Sequence, residues 1–358
     1  LNCSYRLDSM GNLFIRREGN NGKAPVLMGS HLDTQPCGGR FDGVLGVLSA
    51  LEVLRVLEEN NIKTEHPLEV VVWTNEEGAR FSPAMMGSGV FSGVFKQSEI
   101  FLQEDNNGIS VEQALHHSDQ LGSVACKSFP IKAYYELHIE QGPVLELENK
   151  TIGVVTGAQG ISWNHVTLNG QTAHAGTTPM NYRKDPVFGM AQIVRGLQKI
   201  IKEQKDSLYT VGRVESKPDS INSVANTVFF TVDLRHSEDA ILKIMQQKFK
   251  NLIDEVCVEQ NLTSELNNIW HSPAISFNEN CILKVKIATE KLGYSYQNIV
   301  SGAGHDACQI SYVAPVGMIF IPCKGGLSHN EAESISPENA QAGANVLLNA
   351  VLESSVIN

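Results

Sequence analysis

The stretch GSHLDTQPCGGRFDG, Gly29 to Gly43, sets His31, Asp33 and Asp42 around a glycine-rich turn. The apolar run Ala24 to Gly29 (APVLMG) leads into it and reads as a short buried strand. Val44, Val47, Leu48, Leu51, Leu54 and Leu57 follow at helical spacing, so Asp42 stands at a helix amino terminus. Three more polar motifs come where an apolar run ends: TNEEG at Thr74 to Gly78, ELHIEQG at Glu136 to Gly142, and GLSHNEAE at Gly326 to Glu333. Their runs, Leu68 to Trp73, Ala133 to Ile139 and Val316 to Ile321, predict further buried strands. Strands alternating with helices imply an α/β fold with a doubly wound, mostly parallel sheet, in which ligands collect beyond the carboxyl ends of the strands.

Working outward, the texture changes between about Gly160 and Asn278. Trp163 to Leu168 and Thr227 to Leu234 alternate like half-buried strands, and amphipathic helices over Asp185 to Glu203 and Glu238 to Gln260 follow them. We read residues 160–278 as an inserted α+β domain with two helices on one face of an antiparallel sheet, and residues 1–159 and 279–358 as a discontinuous catalytic domain. The uncovered sheet face or edge calls for a partner, which points to a homodimer. The opening LDSMGNLFIRREG reads as a hairpin already under way, so an amino-terminal helical piece is expected before it.

At 358 residues and 42% hydrophobic content, the chain can bury two cores. A net charge of −11 with no basic run argues against nucleic acid or an anionic membrane as partner. No apolar run approaches the roughly 20 residues of a membrane span. The seven cysteines are odd in number and form no CxxC pair, which favours a reducing, cytoplasmic setting over a disulfide framework. The glycines of PCGGRFDG do not make a GxGxxG dinucleotide turn.

Hydrolysis at a metal centre needs imidazole and carboxylate ligands, an open position for water, and a carboxylate to move the proton. The motifs supply each part. The spacing of His31 and Asp33 at a strand end suits Asp33 to hold His31 and fix its tautomer. Asp42 has two oxygens with which to bridge two cations. Glu76 and Glu77 are adjacent and cannot point alike, so one can ligate while the other accepts a proton. His138 and His329 complete two sets that share Asp42. Any one fragment alone reads as a surface pair or a solvated turn; five ligand-type residues at the ends of successive strands do not.

Taken together, GSHLDT, GGRFDG, TNEEGARF, ELHIEQGPVLE, QTAHAGTTPM, SINSVANT, DLRH, SGAGHDA and GLSHNEAE resemble, in order, the amidase, hydantoinase and carbamoylase branch of the dinuclear zinc aminoacylase and carboxypeptidase superfamily. That branch includes N-carbamoyl-L-amino-acid hydrolases, β-ureidopropionases and allantoate amidohydrolases. The resemblance implies two divalent cations per subunit, one on His31, Asp42 and His138, the other on Asp42, Glu77 and His329. It implies Glu76 as general base and acid. Zinc is the expected metal, although His, Asp and Glu ligands without Cys also admit manganese, cobalt or nickel.

The resemblance further implies that Gln141 reaches toward substrate, that His174 from the inserted domain of a partner subunit stabilises the oxyanion, and that Asn222 and Arg235 grip the substrate carboxylate. His305 would contact the substrate near its carbamoyl group, with Gln159 as a weaker contact. The inserted domain would act as a lid, hinged near Gly157 to Gly160 and Ser276 to Asn280. The expected reaction is metal-assisted hydrolysis of a terminal carbamoyl group of an N-carbamoyl-L-amino acid, with allantoate or a β-ureido acid as alternative substrates. A peptidase is disfavoured by His138, which stands where peptidase relatives carry an acidic ligand, and a non-catalytic metal-binding dimer by the presence of Glu76 and of every ligand residue.

Overall fold

The computed structural model describes residues 2–356; Leu1, Ile357 and Asn358 lie outside the described residues. The four apolar runs form a parallel block: β1 (Val26–His31), β2 (Leu68–Trp73), β3 (Ala133–Ile139) and β4 (Val316–Ile321). Their spatial order is β2, β1, β3, β4, with parallel pairing throughout. Antiparallel strands extend the sheet at both sides. The hairpin Ser4–Leu7 and Leu13–Arg17 joins β2, and Ile152–Ala158 joins β4.

The continuous apolar reading of these strands has a simple cause, since both faces are covered. The helices Val44–Glu59, Glu279–Lys291 and Pro337–Ser355 contribute to one core with Met28, Leu54, Leu137, Val285 and Val346. On the opposite face Trp73 packs against Phe14, Phe91 and Tyr134 at ring-centroid distances of 5.8, 5.2 and 6.4 Å. β1 begins at Val26 rather than Ala24, after Pro25, which has no N–H for a ladder. It runs on to His31, whose register partner is Trp73, the last residue of β2. His31 and the TNEEG turn therefore leave the sheet at the same carboxyl edge.

The chain divides into two compact units, one of residues up to Gly157 and from Ser276 onward, the other Ala158–Ile275. In the second unit the strand Gly160–Asn169 lies between Thr227–His236 and Thr263–Ser272, antiparallel to both. Its alternate residues Ser162, Asn164, Val166 and Leu168 are buried, the half-buried pattern of a sheet with one covered face. The helices Pro186–Glu203 and Asp239–Gln260 supply Ile193, Leu197, Leu242 and Phe249 to the same core as Leu168 and Phe230. The first helix starts where the sequence places it, because the Asp185 carboxylate accepts from the N–H groups of Val187 and Phe188 and Pro186 fills the first helical position. A short ladder, Ala173–His174 with Ser223–Val224, stands apart from this sheet. No helix among the described residues is long and apolar enough to cross a membrane.

Because the second unit has its own core, Phe230→Ala, which empties a wholly buried position there, should cost that unit about 3–5 kcal/mol. Denaturant unfolding followed by a probe in each unit checks this; an unfolding curve unmoved by the substitution would contradict it.

Candidate metal centre and active site

Asp42 lies just before the helix Val44–Glu59 and is 2% exposed. Its two carboxylate oxygens face different partners. Oδ1 lies 3.4 Å from His31 Nε2 and 3.2 Å from His138 Nε2. Oδ2 lies 3.6 Å from His329 Nε2, which is itself 3.2 Å from Glu77 Oε2. These are two groups of donor atoms close enough to share an ion each, His31–Asp42–His138 and Asp42–Glu77–His329.

The local chain geometry aims these atoms. His31 Nδ1 is 2.9 Å from the main-chain oxygen of Asp33, and His138 Nδ1 is 2.9 Å from that of Ile139. A carbonyl oxygen only accepts, so both Nδ1 atoms carry the hydrogen in the neutral rings and both Nε2 lone pairs turn toward Asp42. Acceptors facing an acceptor at 3.2–3.4 Å repel unless a positive charge lies between them, so this donor set fits a cation. Gly43, at φ +68°, sits flush on the His31 ring: a Cβ there would fall 2.4–2.6 Å from its atoms. His329 and Gln141 both adopt left-handed backbone (φ +52° and +58°), uncommon for side chains of their size and typical of functional sites.

Asp33 has a different task from the one its spacing suggests. Its carbonyl, not its carboxylate, holds His31; the nearer carboxylate oxygen is 3.7 Å from Nδ1. The carboxylate instead accepts from the N–H groups of Glu76 and Glu77, at 3.1 and 3.0 Å, and so shapes the turn that aims both glutamates. β1 ends at His31, so the period-two relation between residues 31 and 33 is lost. Glu76 Oε2 then lies 3.6 Å from His31 Nε2, while Glu77 Oε2 takes a hydrogen bond from Gln35.

Gln141 donates from Nε2 to Asp42 Oδ2 at 2.8 Å and to Ser328 Oγ at 3.0 Å, and its buried Oε1 has no partner among the described residues. His305 is buried, edge-on to His138 at 4.5 Å between ring centroids and bonded through Nε2 to Ser301 Oγ. The other expected site residues lie in the second unit. His174 is exposed, and its Nδ1 accepts from the N–H groups of Gly176 and Thr177, which leaves Nε2 as the hydrogen-bearing nitrogen. Asn222 is joined to it, since its main-chain oxygen accepts from Ala175 and Ser223 pairs with His174. The Asn222 side-chain oxygen Oδ1 accepts from Ser220 Oγ. Arg235 stands on the strand Thr227–His236 and donates from Nε and Nη2 to Asp233 Oδ2. The buried Gln159 Oε1 has no partner among the described residues.

Comparison with known proteins bears on this arrangement. A model of Peptidase family M20/M25/M40 matches residues 27–353. The chain belongs to that family. The N-carbamoyl-L-amino-acid amidohydrolase of Rhizobium meliloti is 46% identical to it over 356 residues, covering 99% of this chain and 86% of the relative. An allantoate amidohydrolase of Bacillus subtilis (strain 168) is 34% identical over 346 residues, 96% of this chain and 84% of the relative. Among solved structures, an amidase of the hydantoinase/carbamoylase family from Burkholderia multivorans superposes with a TM-score of 0.97 at 46% identity, over 99% of this chain and 87% of that one.

In this M20/M25/M40 family member the electrostatics follow from burial. Burial opposes charge on both inner histidines, but the bond to Asp42 and the nearby carboxylates outweigh it, holding His31 well above and His138 above the ordinary histidine range. Burial would raise Asp42 as well, yet His138 and His31 pull it far below the carboxylate range. Glu76 is pushed well above its range by burial, with Asp306, Glu136 and Glu77 adding to the shift and His31 opposing it. Glu136 and Asp306 were not singled out from the sequence as site residues. Glu136 accepts from Ser30, Tyr134 and Ala307, and Asp306 from Ser88. A charged residue inside the apolar run AYYELHI was the one available signal of the first.

His31, His138, Glu76 and Asp306 all bind a proton more tightly folded than unfolded. Their contributions to stability are complete below the ordinary values, 6.5 for histidine and 4.5 and 3.8 for the carboxyls, and are lost as pH rises through the folded values. The melting temperature of chelator-stripped protein should therefore fall as pH rises above 6.5. Zinc or manganese, taking the place of those protons, should flatten the fall. Melting curves between mildly acidic and alkaline pH, with and without metal, decide it; parallel pH profiles would count against cation binding between these donors.

Proposed function

We infer that this chain is a dinuclear-metal amidohydrolase that removes the terminal carbamoyl group of an N-carbamoyl-L-amino acid, giving the amino acid, carbon dioxide and ammonia. The observation that carries the reading is the division of Asp42, one oxygen facing His31 and His138 and the other facing His329, with Glu76 alongside. The 46% identity to a protein named for that reaction supports the substrate class.

In this reading His31, Asp42 and His138 hold one divalent cation and Asp42, Glu77 and His329 the other, zinc being the first choice. Such cations supply Lewis acidity toward water and toward the ureido oxygen. Glu76 accepts the proton of the attacking water and returns it to the leaving nitrogen. Its raised proton affinity suits a group that must both take and give a proton near neutral pH. His174 donates from Nε2 to the developing oxyanion; the two backbone amides on Nδ1 support that role by fixing the tautomer. Asn222 and Arg235 bind the substrate carboxylate, for which the guanidinium fork is suited. Gln141 and His305 line the carbamoyl end.

We also propose that the second unit, with a boundary within three residues of 160 and 278, serves as lid and dimerisation module. Met180, Tyr182, Phe188 and Ile221, all exposed near His174 and Asn222 in sequence, support a partner there. The reading places the enzyme in the cytoplasm. Allantoate is the second candidate substrate, favoured by the Bacillus relative.

Ammonia release by metal-loaded protein from N-carbamoyl-L-amino acids, N-carbamoyl-β-alanine and allantoate tests the assignment. Turnover of a carbamoyl amino acid, lowered about 10²–10⁴-fold by Glu76→Gln, is the expected result; preferential turnover of allantoate would replace the substrate and keep the centre. Arg235→Lys should raise KM for the carboxylate-bearing substrate by about tenfold or more with a smaller loss in kcat, as one fork of two N–H groups is replaced by a point charge. An unchanged KM would remove Arg235 from the substrate site.

A further inference from the structure

Glu333 closes the GLSHNEAE motif and none of the roles above uses it. It is 1% exposed, and Oε1 accepts two main-chain hydrogen bonds, from Phe41 N–H at 2.8 Å and from Asp42 N–H at 3.1 Å. Oε2 is buried and has no partner among the described residues. The carboxylate lies against Gly39, where a Cβ would fall 2.0–2.3 Å from its atoms. On its own side of the contact, Glu333 N–H donates to Asn330 O, and Ala332 N–H to Asn330 Oδ1, so residues 329–333 form a tight turn that begins at His329.

We propose that Glu333 is a positioning residue of the metal centre: it clamps the main chain carrying Asp42 to the turn carrying His329, so that the two fall at one spacing. The inference rests on the roles proposed above for Asp42, Glu77 and His329. Removing a solitary carboxylate from water is costly, and an apolar side chain would fill the space at less cost. What an apolar side chain cannot do is accept from two successive N–H groups, which fixes the peptide planes on both sides of Phe41 Cα and hence the direction in which Asp42 leaves the chain. Gln141 and Ser328 complete the arrangement by donating to Asp42 Oδ2 at 2.8 and 3.0 Å. Ser328 is the neighbour of His329, so the His329 turn holds Asp42 from both its main chain and its side chain.

Since only Oε1 bonds, what matters is an acceptor at the right reach rather than the charge. Glu333→Gln keeps reach and acceptor; Glu333→Asp keeps the charge but is one methylene short. Gly39→Ala leaves Glu333 in place and pushes its carboxylate aside. The experiment is chelator-competition titration of metal-stripped protein with zinc, together with the melting temperature of each metal-free variant. Wild type should bind two ions. Glu333→Asp and Gly39→Ala should weaken at least one by about 10–100-fold, the usual effect of losing a group that orients a ligand, and Glu333→Gln should stay within about threefold of wild type. The proposal is overturned if Asp and Gly39→Ala bind both ions as wild type does, if Gln loses as much as Asp, or if the variants lose only melting temperature. Fewer than two ions on wild type would instead overturn the proposed centre, and this inference with it.

Discussion

The centre of the first unit answers to one constraint, a buried carboxylate with one oxygen facing two electron-rich imidazole nitrogens. Asp42 is almost wholly enclosed, and an ionised carboxylate in such a place is unfavourable unless its oxygens are matched by positive charge or by donors. Oδ2 has two donors, Gln141 and Ser328, whereas Oδ1 faces two imidazole nitrogens whose hydrogens are on the other side of the ring. The arrangement is stable only with positive charge between these atoms. The high proton affinity of His31 and the low one of Asp42 express that demand when protons meet it.

The parallel sheet is what makes such a concentration of ligands affordable in geometry. β1, β2 and β3 run the same way, so their carboxyl ends discharge His31, the Glu76–Glu77 turn and the His138 segment at one edge. The strands themselves are mostly apolar and covered on both faces, with His31, Glu69, Glu136 and His138 as buried exceptions, so most of the polar groups lie in the loops beyond them. The loops are then tied to each other. Asp33 caps the Glu76–Glu77 turn, Gln35 reaches Glu77, and Glu333 holds Phe41 and Asp42.

How much of this was legible depended on whether a residue acts through its type or through its neighbours. Ligand types at the ends of apolar runs were readable because strand and helix each have a sequence period, which also located the helices that begin at Pro186 and Asp239. The use of Asp33 was misread, since period two holds only inside a strand and β1 stops at His31. Glu333 carried no signal of its role, because its partners are backbone N–H groups 291 and 292 residues away and any acceptor of the right reach would serve them. The tautomer of His174 depends on two turn amides, a matter of loop conformation that composition does not encode.

The buried carboxylates Glu136 and Asp306 bear on the proton-transfer role proposed for Glu76. A glutamate beside two cations would be held ionised too firmly to return a proton to a leaving amine. Burial pushes the other way, and the wholly buried Asp306 and Glu136 shift Glu76 in the same direction. Asp306 is itself held well above the carboxylate range, chiefly by burial and then by Glu136. Cations bound as proposed would thus act at Glu76 against burial and these carboxylates. In the proposed centre the balance between them would set its proton affinity, and the spacing at which Asp42 and Glu333 held the cations would set that balance.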